Sequence, residues 1–378
     1  MTPIISSAEV LGPYIMERRY TNAAFNRAGD FIASRGDEWL QLIKTDFQSW
    51  NARFSKEFGI MAEWRNLHAM PLKAVSALLS SEATNIDGAP IVVERLKRYL
   101  SIRSKLQRFP VTNLTTIQDI AGCRAVVQDV RHAYELRDRI VQRFGSRSDG
   151  PQIVPKWCRD YIAEPKPDGY RSIHEVAKFY SLDPSVSHCN DLRVEIQIRS
   201  RMQHAWAMAV ETASAVTNQA LKSGDGEALW KRFFFLVAEI MAFNEGTQNV
   251  FANKEEHFNA RREASGLATQ LRVVNLLSGM QHVLESYSTF EGKGGNDLYL
   301  LELHAQNREI GYMGYGKEDF KKASEEYAEK EQANRNNEDI HIVLVTAESL
   351  SDLKSAYPSF FLNSVGFIDL INEQVFGS

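Results

Sequence analysis

No apolar run in this chain nears the ~18 uninterrupted residues that a membrane-spanning helix needs, so a bilayer-embedded protein is not expected. The first ten residues, MTPIISSAEV, lack the basic-then-apolar pattern of a secretory signal, and the expected location is cytoplasmic. Cysteine is scarce: Cys123, Cys158 and Cys189 stand among 378 residues, with no CxxC and no even-numbered set. That excludes a disulfide framework and a cysteine-based zinc site, leaving reduced packing thiols. Internal repeats and low-complexity tracts are also missing. Net charge is −4, too small for the chain as a whole to select a polyanionic or membrane partner.

What is present is an ordinary soluble composition, 44% hydrophobic and 24% charged, on a chain long enough for two or three domains. Apolar residues recur at helical spacing from Asp37 to Phe58 (Trp39, Leu40, Leu42, Ile43, Phe47, Trp50, Phe54), predicting a helix. A second helical pattern runs from Trp64 to Leu79 and is interrupted by Pro71. From about 90 to 220, helical patterns alternate with short strands, IAGCRAVV (120–127) and RVEIQIRS (193–200), around a helix near 131–143. Lys222 to Glu227, KSGDGE, reads as a boundary. An apolar helix LWKRFFFLVAEIMAF follows, then a polar helical stretch to about Tyr287. The glycine-rich Glu291–Asp297 opens a unit in which DLYLLELH and IHIVLVTA flank a charged helix from Lys317 to about Gln332, and FIDLINEQVF closes the chain.

Charge is distributed unevenly. The run RLKRYLSIRSKLQR, Arg95 to Arg108, carries six cations (Arg95, Lys97, Arg98, Arg103, Lys105, Arg108) and no acid. Taken as one helix, it places Lys97, Ser101, Ser104 and Arg108 on a face with Lys105 beside them, suited to a triphosphate. The strand RVEIQIRS alternates with period two. Val194, Ile196 and Ile198 point one way, and Arg193, Glu195, Gln197 and Arg199 the other. A strand face of mixed charge suits the lining of a cleft, although an exposed antiparallel face reads similarly. Asp119 precedes the run IAGCRAVV, and two carboxylates on neighbouring strands are enough to hold Mg²⁺ against phosphate oxygens. In KPDGYRSIH, Lys166 to His174, the turn formers Pro167, Asp168 and Gly169 project Tyr170 between Lys166 and Arg171, a stacking platform for a base.

The stretches RLKRYLSIRSK, DIAGCR, RDYIAEPKPDGYRSIH and VEIQIRSRMQHAW, in this order over about residues 90–212, resemble the synthetase domain of the RelA/SpoT family of alarmone synthetases. The resemblance implies an α+β fold with a nucleotidyltransferase-like mixed sheet flanked by helices. It divides the chain into an N-terminal helical segment (1–60), a synthetase domain (61–224) and a helical linker with a small α+β module (225–378). By the same resemblance Arg95, Lys97, Lys105 and Arg124 bind ATP, and Asp119 is the principal Mg²⁺ ligand. Glu195 assists the metal or draws the proton from the attacking hydroxyl. Arg159, Lys166, Asp168, Tyr170, His174, Gln197 and Arg199 surround the acceptor. The implied reaction moves the β,γ-diphosphate of ATP to the ribose 3′-hydroxyl of GDP or GTP. The same chemistry on a tRNA 3′-end or an adenosine nucleotide, as in toxin members, is the alternative acceptor reading; a catalytically degenerate nucleotide sensor is the non-enzymatic one.

Three positions depart from the family pattern. Asp168 stands where asparagine is usual, Arg159 where lysine is usual, and Glu211 is followed by Thr212 rather than histidine. A carboxylate can accept both N1–H and the 2-amino group of guanine, so Asp168 leaves the base open. Lys166, Arg171 and His174 together favour a free nucleotide over tRNA. No HD pair in helical context occurs in the first 90 residues, so alarmone hydrolysis is not expected. No recognised motif lies in residues 225–378, which are expected to regulate the synthetase, bind a protein partner or self-associate.

Overall fold

The computed structural model describes residues 17–34, 44–145, 150–220, 225–274, 276–277, 298–304, 309–316, 319–334, 340–346, 368 and 371–373. The predicted glycine-rich segment 291–297, residues 37–43 of the first predicted helix and most of the closing FIDLINEQVF lie outside these. Two compact units emerge: Met1–Asp160 with Ser172–Ser200, and Tyr161–Arg171 with Arg201–Ser378.

The first unit begins with helices α1 (Asn22–Ile32), α2 (Phe47–Leu67) and α3 (Ala69–Ile86). Pro71 does not break the pattern, because it occupies the first turn of α3, where its missing N–H has no helical partner. The basic run is divided. Residues Ile91–Leu96 form strand β1, and helix α4 begins only at Tyr99 and ends at Arg108. The β-branched Ile91, Val92 and Val93 favour a strand, and Arg98 is in extended backbone at the helix start. Arg95 therefore sits on a strand and Lys97 in a connection, correcting the single-helix expectation.

Strand β2 (Ala121–Val127), helix α5 (Val130–Gly145), β3 (Gln152–Ile153), β4 (Arg159–Asp160), β5 (Ile173–Lys178) and β6 (Arg193–Ser200) complete this unit. The sheet order is β1-β2-β6-β5-β3, with β4 also on β5. Only β2 and β6 pair in parallel; the other pairs are antiparallel, so the sheet is mixed as expected. Helices α3 and α5 pack on it. Val194, Ile196 and Ile198 are fully buried, while Arg193, Glu195 and Gln197 keep some exposure, as the alternation predicts; Arg199, expected on the same polar face, is instead buried at the strand's end. A second apolar cluster joins α1 and α2 (Phe25, Met61, Trp64) to Ile102 and Leu106 of α4. This anchors the cationic helix to the N-terminal helices.

The second unit holds α6 (Arg201–Ala220), α7 (Asp225–Asn244) and α8 (Lys254–Gln270). With them is an antiparallel sheet of order β8-β7-β9 (Glu309–Tyr315, Leu298–His304, Ile340–Thr346) and helix α9 (Phe320–Ala333). β8 escaped the sequence pattern because Gly311 and Gly314 dilute its alternation. The apolar α7 is core: Phe233, Phe234, Val237 and Ile240 are buried, and Trp206 donates its indole N–H to the Phe234 carbonyl (2.8 Å). No described helix is long and apolar enough to cross a membrane.

Candidate active site

Asp119 lies just ahead of β2 and receives two lysines. Lys97 donates to one carboxylate oxygen and Lys105 to the other, each at 2.8 Å. All three side chains are partly buried. Burial alone would raise the Asp119 pKa, but the two ammonium groups outweigh it and hold the carboxyl below its usual range. The Lys97 backbone is clamped from two sides. Its N–H donates to the Ile120 carbonyl (2.7 Å), and its own carbonyl accepts from Arg65 of α2 (2.8 Å). Arg65 also stacks on Tyr99, with its guanidinium carbon 4.8 Å from the ring centroid. Motif reading missed Arg65, because a bond to a backbone carbonyl leaves no signature in residue type.

On the sheet, a chain of polar groups crosses three strands. His174 Nδ1 lies 3.2 Å from one Glu195 oxygen, and Gln197 donates to the other at 2.8 Å. The Gln197 carbonyl oxygen accepts from Arg199 (3.2 Å) and, at longer range, from Arg124 (3.4 Å). Register explains the assembly: His174 opposes Gln197 across β5–β6, and Arg124 is level with Gln197 across β2–β6. Arg95 opposes Gly122, which is level with Glu195, so Arg95 shares this face. Arg159 opposes His174; its guanidinium donates to the Cys158 carbonyl (2.7 Å) and is largely exposed. Burial pushes the Glu195 pKa up and Asp119 adds to that rise, yet the hydrogen bond and charge of His174 bring the net shift downward. Asp119 and Glu195 are therefore near enough to feel each other, and both are ionised at neutral pH.

That donor set fits Mg²⁺ in one way. Among the described residues no group of three or more metal-ligating side chains gathers. Two ionised carboxylates suit an ion that completes its shell with water and substrate phosphate oxygens.

The loop 166–171 belongs to the second unit. Gly169 N–H donates to the Lys166 carbonyl (2.9 Å), and Tyr170 N–H to the Asp168 carboxylate (3.0 Å), the turn that the residue types predict. The Lys166 ammonium sits 4.5 Å from the Tyr170 ring centre and 4.6 Å from that of Tyr161. Arg171 departs from expectation. Its side chain is 4% exposed and pairs with Glu239 of α7 at 2.8 Å, so it is not a cation held out to acceptor phosphates. The three cysteines are free, and burial pushes the thiol pKa of each upward, as expected of packing thiols.

Two ionised carboxylates, one bonded to two lysines and the other beside an imidazole, are the kind of arrangement that suits polyphosphate chemistry. Residues 94–216 match the family described as the region found in RelA / SpoT proteins. The chain is 36% identical over 140 residues to the GTP pyrophosphokinase YjbM of Bacillus subtilis, covering 36% of this chain and 61% of that one. With the GTP pyrophosphokinase YwaC of the same organism it shares 31% identity over 164 residues, 39% of this chain and 73% of the relative. The crystal structure of the small alarmone synthetase 1 from Bacillus subtilis bound to its product pppGpp aligns with 24% identity and a TM-score of 0.39. It covers 53% of this chain and 95% of that one. The chain belongs to the RelA/SpoT family.

Proposed function

We propose that this protein transfers the β,γ-diphosphate of ATP to the ribose 3′-hydroxyl of GDP or GTP. The observation that carries this reading is the pairing of Lys97 and Lys105 with Asp119 beside the His174–Glu195–Gln197 chain, inside the family-matched segment. In the reaction the 3′-oxygen bonds to the β-phosphorus, the bond from that phosphorus to the α–β bridging oxygen breaks, and AMP leaves. Glu195, ionised at neutral pH, accepts the hydroxyl proton. Lys97, Lys105, Arg95 and Arg124 neutralise the triphosphate, the main demand of phosphoryl-type transfer. Mg²⁺, held by Asp119 and Glu195, would neutralise charge on the transferred phosphates. Tyr170 stacks on the acceptor base, and Lys166, Asp168, Arg159, His174, Gln197 and Arg199 complete the acceptor contacts.

Incubation with γ-labelled ATP and, separately, GDP, GTP, AMP, ATP or bulk tRNA tests the acceptor. Label is expected in GDP and GTP. Label confined to tRNA or to an adenosine nucleotide would keep the reaction type and overturn the acceptor. ATP binding without transfer to any of them would leave a sensor.

Arg65 offers a narrower check on the donor side. Losing a charged hydrogen bond to the Lys97 carbonyl costs about 1.5 kcal/mol, and Arg65→Ala is expected to raise the KM for ATP about 10-fold. The KM for the acceptor is expected to stay unchanged; equal rises in both would show general loosening instead.

A further inference from the structure

Arg171 donates to four acceptors, and their distribution is informative. One nitrogen bonds the Gly169 carbonyl (2.9 Å) and the Ala238 carbonyl (3.3 Å); the other bonds Glu239 (2.8 Å) and the Gln248 carbonyl (2.8 Å). The guanidinium therefore staples the residue just before Tyr170 to α7 and to the segment after it. Glu239 uses its second oxygen to accept from Val250 N–H (2.8 Å), so its carboxylate is bonded on both sides. Both charged side chains are nearly inaccessible, at 4% and 3% exposure. Gly169 fits the same docking. Its φ of +89° disfavours a side chain, and a Cβ there would lie 2.6 Å from that of Ala238. The Tyr170 ring itself packs against the apolar core that includes Trp206, Phe234 and Val237.

We infer that Glu239 is a positioning residue for the acceptor-binding loop: through Arg171 it fixes Tyr170, so the helix following the family-matched segment sets acceptor affinity. This rests on the proposed role of Tyr170 at the acceptor base. It gives one residue of the segment 225–378, in which no motif was recognised, a role in acceptor binding, since Glu239 lies beyond the match, which ends at residue 216. A pair this deeply buried adds little net stability over apolar substitutes of equal volume, whereas its geometry fixes a backbone position.

The test uses the full chain. Glu239→Gln is expected to raise the KM for GDP at least about 10-fold, leave the KM for ATP within about 2-fold, and speed amide exchange at residues 168–171 but not in β6. The double variant Arg171→Met with Glu239→Leu, which leaves no unpaired buried charge, is expected to melt near the wild type yet keep the raised acceptor KM. Tyr170→Ala is the reference. If it leaves the GDP KM unmoved, the reading of Tyr170 fails. If it raises that KM while Glu239→Gln changes neither the KM nor loop exchange, the positioning role is refuted. A parallel rise in both KM values with faster exchange throughout would also refute it.

Discussion

Asp119→Asn is expected to cut diphosphate transfer by about 10³-fold while the protein remains folded. Asparagine keeps the size of the side chain and can still accept one hydrogen bond, so packing around β2 is undisturbed. It removes the charge that draws Lys97 and Lys105 to one point, each now bonded at 2.8 Å. The two ammonium groups would then repel, and one of the two carboxylates proposed to hold the metal would be lost. Steady-state rates with ATP and GDP, beside a thermal melt, decide it. A variant with near-normal turnover at ordinary Mg²⁺ would remove Asp119 from the metal and the mechanism together. Glu195→Gln is expected to fall in the same direction, because an amide cannot take the hydroxyl proton.

Acidification is expected to weaken the N-terminal helices through His68. This residue joins α2 to α3, is 1% exposed, and shares a 2.8 Å hydrogen bond with the Trp64 carbonyl through Nδ1. Burial lowers its pKa from 6.5 to about 4, with Arg193 and Arg18 adding to the fall. In the unfolded chain the same imidazole titrates at its usual value, so between about pH 6.5 and 4 protons bind the unfolded state preferentially. The stability contributed by neutral His68 is complete above pH 6.5 and is lost as pH falls towards 4. At roughly 1.4 kcal/mol per pH unit, the loss is about 2 kcal/mol by pH 5 and about 3 kcal/mol by pH 4. Denaturant melts at pH 7 and pH 5 of the wild type and His68→Gln measure it. The wild type should lose more than the variant; equal losses would place the titration elsewhere.

Local pattern made much of the site legible. The alternation of Val194, Ile196 and Ile198 with Glu195 and Gln197 needed only the period of a strand, and the structure keeps it. The KPDGY turn was legible because Asp168 and Gly169 bond their own neighbours. The basic run misled, because a count of cations carries no information on where β1 stops and α4 starts. The β-branched triplet at Ile91–Val93 was the overlooked signal. Arg65 and Glu239 were beyond reach for another reason. Their partners lie 32 and 68 residues away, and three of the acceptors that Arg171 uses are backbone carbonyls, which every residue type supplies.

By itself, then, the sequence pointed to the chemistry proposed for this protein: cations for a polyphosphate, two carboxylates, a projected tyrosine, and packing thiols. Those are properties of residue type and short-range periodicity, which survive without knowledge of the fold. Only the tertiary structure decided which charges are available. It gave Lys97 and Lys105 a shared partner in Asp119, and it withdrew Arg171 from the acceptor by burying it against Glu239. A side chain's type sets what it can bond, but burial and the arrival of distant strands and helices set what it does bond.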